Sequence, residues 1–183
     1  MIKEGNVFNK TVVVLITGLE ADTVSKVMCE SFSTAGYITD IFKVTDIVKS
    51  FCLLLGWDGW NDDRGKLFIG RIKKVGDEYD RDCWIHLLDE KIQDQPQYPY
   101  DIIFIPDYSY NSEKEFLELN PVYRVINILI SKEEEDNLFL GEDKDYYSIM
   151  YTELYSKFLD KINTVVENIV NNFSVERKSE DLK

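Results

Sequence analysis

The sequence predicts a single α/β domain built on a mostly parallel sheet with helices on both faces. Three observations carry that expectation. A β-branched run, Thr11-Val-Val-Val-Leu-Ile16, ends at Thr17-Gly18 and passes directly into helical spacing. A second run, Asp101-Ile-Ile-Phe-Ile105, lies in the middle of the chain, and a third spans Val122 to Ile130. Apolar runs without polar alternation suit strands buried on both faces, and their alternation with helices makes βαβ units.

The elements follow in order. After the first strand, Val24, Val27, Met28, Phe32 and Ala35 recur at helical spacing, and Gly36 closes that helix as a C-terminal cap. Tyr37 to Phe42 reads as a short strand, and Thr45 to Leu55 as a helix ending at Gly56. The polar, turn-rich stretch Trp57 to Asp63 precedes a helix from about Arg64, with Leu67, Phe68, Ile72, Val75 and Tyr79 expected on one face. Asp82 to Ile92 reads as another helix, carrying Trp84, Leu87 and Leu88, and Gln93 to Pro99 as a loop. Beyond the second strong strand come a helix from Glu113 to Leu119, the third strand, an acidic connection from Lys132 to Asp145, and a short strand near Ser148 to Tyr151. The final helix is set by Leu154, Phe158, Ile162, Val165, Val166, Ile169, Val170 and Phe173. The expected organisation is one domain over residues 1–175, with a helical insertion over about 45–95 and a charged tail over 176–183.

Bulk properties narrow the function classes. With 183 residues, 44% hydrophobic and 13% aromatic, the chain has the material for a core and is not of the disordered class. No apolar run approaches the roughly 20 residues that span a bilayer, and the N-terminal residues lack a signal-peptide pattern, so a cytoplasmic protein without membrane association is expected. Cys29, Cys52 and Cys83 show no CxxC spacing and read as reduced thiols, and with His86 the only histidine a zinc site is not expected. The formal charge of −13 argues against broad binding to a nucleic-acid backbone, while leaving open a basic protein partner. Oligomeric state is not readable from the chain.

The strand that ends at Gly18 and opens a helix is where a phosphate-binding loop belongs, because backbone N–H groups at a helix N-terminus wrap an anion there. Several segments taken together resemble the phage-type deoxynucleoside monophosphate kinases. They are Gly18 with Asp22-Thr23, then Gly56-Trp-Asp-Gly-Trp-Asn-Asp-Asp-Arg-Gly-Lys66, then Tyr79-Asp-Arg-Asp-Cys-Trp84, then Ile102-Ile-Phe-Ile-Pro-Asp107 with Glu113. The likeness covers roughly residues 11 to 170 and implies a P-loop kinase-like three-layer sandwich that uses ATP and Mg. By that resemblance Arg64 and Asp107 fall at catalytic positions. Gly18, Asp22, Thr23, Trp84 and Glu113 fall at nucleotide-binding positions, with the Thr23 hydroxyl on the magnesium.

The same alignment exposes departures. Ala21 stands where the phosphate lysine belongs, and Glu20 where the second loop glycine belongs. Ser109 stands at an arginine position and Ser112 at an asparagine position. A carboxylate in an anion cradle repels phosphate, and phosphoryl transfer rests on charge neutralisation. Plainer readings sit beside these assignments. Asp107 reads equally as a ligand or as a helix N-cap, and Glu113 and Thr23 as ordinary residues of a first helical turn. Trp57, Trp60 and Trp84 read as packed aromatics, and His86 as a structural side chain. Three functions follow as expectations. The foremost is a kinase-like protein with little or no phosphoryl transfer that binds a nucleotide or a protein partner. The others are an active kinase with a rebuilt phosphate site, using Mg and ATP, and an acidic interaction or inhibitor protein that uses the fold as a scaffold.

Overall fold

Residues 10–59, 62–108, 111–131, 146–150 and 160–171 are described in a computed structural model. Their elements run β1 (Thr11–Gly18), α1 (Ala21–Thr34), β2 (Thr39–Ile41), α2 (Val44–Leu54), α3 (Asp63–Tyr79), α4 (Cys83–Gln93), β3 (Ile102–Ile105), α5 (Asn111–Leu119), β4 (Tyr123–Ser131), β5 (Tyr146–Met150) and α6 (residues 160–171). The strands form one five-stranded sheet in the order β2-β3-β1-β4-β5. Every pairing is parallel, and in the centre Val14 lies between Phe104 on one side and Ile126 on the other.

The apolar runs take the middle of this sheet because both of their faces are covered. Val13, Val14, Leu15 and Ile16 are each 0% exposed, and burying a side chain of this size contributes on the order of 2 kcal/mol. Even-numbered β1 residues pack with Val24, Met28 and Phe32 of α1 and with Ile162 and Ile169 of α6. Odd-numbered ones face Val44 and Val48 of α2, Ile85 and Leu88 of α4, and Leu117 of α5. The result is three layers, α1 and α6 on one face and the remaining helices on the other. No helix among the described residues is long and apolar enough to cross a membrane.

Local signals place the helix ends. After α1 the Gly36 N–H donates to Ser33 O at 2.9 Å and the Tyr37 N–H to Phe32 O at 3.1 Å, with the two rings edge-on at 5.7 Å. That is the Schellman pattern with its apolar contact, and Gly56 and Trp57 repeat its hydrogen bonds after α2. Tyr37 is thereby spent on the cap, so β2 is shorter than the expected Tyr37 to Phe42. At the start of β4, the Tyr123 hydroxyl donates to Asp89 Oδ1 and Gln93 Nε2 to Asp89 Oδ2 at 3.0 Å, which ties α4 to that strand.

One expected face is corrected. Leu67, Val75 and Tyr79 of α3 are 55%, 62% and 91% exposed, while Gly65, Phe68, Ile69, Ile72 and Gly76 turn inward. The glycines decide the rotation. A Cβ on Gly76 would lie 2.3 Å from the Trp84 ring, so the helix presents its bare backbone where the indole packs. Trp60, Ser109, the connection 132–145, Leu154, Phe158, Phe173 and the tail 176–183 lie outside the described residues.

Candidate functional site

In an open parallel sheet, ligands bind at the carboxyl ends of strands where neighbouring connections leave in opposite directions. Here the chain leaves β1 through α1 towards β2, and leaves β3 through α5 towards β4, on opposite faces. The crevice is therefore set between the ends of β1 and β3. Gly18, Asp22, Thr23, Asp107 and Glu113 all lie on the segments that border it.

Gly18 ends β1 at φ 98°, and a Cβ there would sit 2.0 Å from Ile130 O on β4. Glycine is thus required by the close approach of two strands. Only Leu19 and Glu20 separate the strand from α1. The Leu19 N–H is already used, donating to Ile130 O at 3.1 Å. Glu20 is the N-cap and holds a left-handed backbone, φ 57° and ψ 23°, the conformation that glycine adopts without strain. Its side chain makes no cap to the helix backbone and instead accepts the Thr23 hydroxyl, Oγ1 to Oε2 at 2.8 Å. A glycine-rich phosphate loop interposes a longer stretch of free N–H groups between its strand and its helix. This connection is only two residues long, its Leu19 N–H is spent, and it carries a carboxylate.

Asp107, just past β3, spends both oxygens on another element. Oδ1 accepts from the Val44 N–H at 2.8 Å, and Oδ2 accepts from the Thr45 N–H at 2.8 Å and from the Thr45 hydroxyl. It caps α2 from the end of the neighbouring strand, satisfying two orphan N–H groups of that helix and opposing its dipole. A cap is one of the two readings the sequence offers for this residue, although the capped helix is α2 and not the one that follows. Lys43, at the N-cap of α2, reaches Asp22 with Nζ 2.7 Å from Oδ1. The first turns of α1 and α2 and the end of β3 thus form one linked set of side chains.

Tyr108, three residues past β3, is partly buried beside Thr17 of β1. Burial first, then Glu113 and Glu118, hold its hydroxyl above the usual tyrosine range, and Thr17 opposes that rise. Glu113 is 0% exposed, one turn before the buried Leu117. Two further residues at family positions lie away from this set. Trp84 is 3% exposed, donates Nε1 to Lys73 O at 3.1 Å and packs edge-on against Phe51. It is the pin between α2, α3 and α4. The Arg64 side chain is 82% exposed and contacts Asp62 at the start of α3.

Lys43, Thr45 and Tyr108 were not singled out in the sequence. Lys43 and Tyr108 had a usable signal, since each lies within three residues of the carboxyl end of a strand. Among the described residues no group of three or more metal-ligating His, Cys, Asp or Glu side chains comes together. The donor set also fits Mg and ATP poorly. Thr23 and Glu20 offer two neighbouring oxygens, but Asp22 is turned to Lys43 and Asp107 is filled by three donors. A triphosphate at this helix end would meet the Glu20 carboxylate. No protein-family model matches the chain, and no curated protein matches it either. What the structure itself defines is an α/β protein with an all-parallel sheet and a polar crevice at the carboxyl ends of its central strands.

Proposed function

We propose that this chain is a kinase-like scaffold with little or no phosphoryl transfer, acting by binding a nucleotide or a protein partner. The resemblance in sequence supplies the kinase-like part. The observation that carries the rest is the connection after β1, where Leu19 and Glu20 alone precede α1 and the Glu20 carboxylate holds the Thr23 hydroxyl. Phosphoryl transfer needs positioned cations and N–H donors around the migrating group. In place of the cations stand a carboxylate, a Lys43–Asp22 ion pair and a carboxylate committed to capping. These residues, as they are paired, fit Mg and ATP poorly.

Lys43 supports a second reading, an active kinase with a rebuilt phosphate site. It is a cation beside the first turn of α1, close to where the absent loop lysine would act. A coupled assay of phosphoryl transfer from ATP to the deoxynucleoside monophosphates, with Mg, separates the two. The scaffold reading expects no turnover above the uncatalysed background. Turnover at roughly 1 per second or faster, the ordinary kinase range, and its loss in Lys43→Met, would replace it with the second reading.

A further inference from the structure

The outer face of α3 is used neither by the crevice nor by the core. Leu67 is 55% exposed and Val75 62%, two turns apart on a helix of 17 residues. At 3.6 residues per turn Gly70, Arg71 and Lys74 lie on the same face between them. The charge of this helix runs against the chain. Against a total of −13, α3 carries Arg64, Lys66, Arg71, Lys73 and Lys74 but only Asp63, Asp77 and Glu78. The exposed acids are already answered within the helix, Asp63 by Lys66 at 3.8 Å and Glu78 by Lys74 at 3.7 Å. Arg71 has no ion pair among the described residues.

Gly70 is the second, independent observation. Gly76 is required by the Trp84 ring and Gly65 is buried, but a Cβ on Gly70 would meet nothing within 4 Å. A glycine in the middle of an exposed helix weakens it and is not asked for by this fold. What a bare backbone position on an open face permits is the close approach of a second helix.

We propose that this face docks an acidic amphipathic helix of a partner protein. Its apolar stripe lies on Leu67 and Val75, its backbone passes closest at Gly70, and its carboxylates meet Arg71, with Lys74 beside it shared with Glu78. The rest of this acidic surface repels such a partner, so the charge pattern directs it to α3. A helix laid on a helix reads apolar anchors about two turns apart, which is the spacing of Leu67 and Val75.

The test is fluorescence anisotropy on the full chain, with a labelled synthetic helix-forming peptide that has leucines at about seven-residue spacing flanked by glutamates. The control peptide carries lysines in place of the glutamates. The glutamate peptide is expected to bind at least about tenfold more tightly than the lysine peptide, which is the effect of one well-placed charge contact. Arg71→Glu is expected to reverse that preference. Gly70→Leu is expected to abolish binding while raising the midpoint of thermal unfolding, which separates lost docking from lost folding. Equal binding of the two peptides, or unchanged binding in both variants, overturns the proposal. Displacement of the peptide by heparin at equal charge overturns it in favour of a general polyanion surface. Self-association of the wild-type chain that disappears in Gly70→Leu overturns it in favour of a second copy of this chain.

Discussion

At the scale of single residues the crevice is held by close approaches and shared protons. Gly18→Ala is expected to destabilise the fold by about 3 kcal/mol or more, because a left-handed backbone and a contact with Ile130 O at 2.0 Å act together. Chemical denaturation of the variant measures it. Glu20→Gly is expected to be neutral or stabilising by up to about 1 kcal/mol, since relief of the left-handed strain is partly offset by glycine entropy and the lost Thr23 hydrogen bond. Tyr123 sets an alkaline limit. Burial first, then its hydrogen bond to Asp89 and that group's charge, raise its hydroxyl well above the usual tyrosine range. A raised folded-state value favours the protonated form, so the stabilisation is complete below about pH 10, the unfolded tyrosine value, and is lost as pH rises beyond it. Unfolding free energies measured from pH 8 to 11 are expected to fall more steeply above pH 10 in the wild type than in Tyr123→Phe. That variant is expected to lose about 1–3 kcal/mol at neutral pH, by removing a donor from Asp89.

At the scale of elements, the strands were the most legible part of the chain. Apolar runs such as Thr11–Ile16 have one physical explanation, burial on both faces, and the structure pairs them in parallel with helices on either side. The ends of α1 and α2 were legible through Gly36 and Gly56 for the same reason, that the C-terminal cap is a local event. The rotation of α3 was not. Its apolar residues are spread around the helix, and the inward face is chosen by Gly76 against Trp84, two residues from different helices. Trp84→Ala is expected to cost about 3–5 kcal/mol, the range for a large aromatic removed from a core, and to be read as a lower denaturation midpoint. The site was legible only in part. Gly18, Asp22 and Thr23 could be placed beside the end of β1 from the sequence, but the shortness of the connection and the use of Asp107 as a cap on α2 are facts of three-dimensional pairing.

At the scale of the whole molecule, the sheet places its crevice where α/β proteins bind ligands, and the side chains there are occupied with one another. Lys43 answers Asp22, Thr23 answers Glu20, and Asp107 answers the start of α2. A site kept for phosphate would leave positive charge unspent. The measurement that tests this most directly compares, by calorimetric titration in the presence of Mg, the affinities of a nucleoside and of its mono- and triphosphate. With Lys43 paired to Asp22 and the Glu20 carboxylate at the helix start, phosphates are expected to add nothing, so the nucleotides bind no more tightly than the nucleoside. A tightening of about tenfold or more per added phosphate, or about 1.4 kcal/mol each, would contradict it.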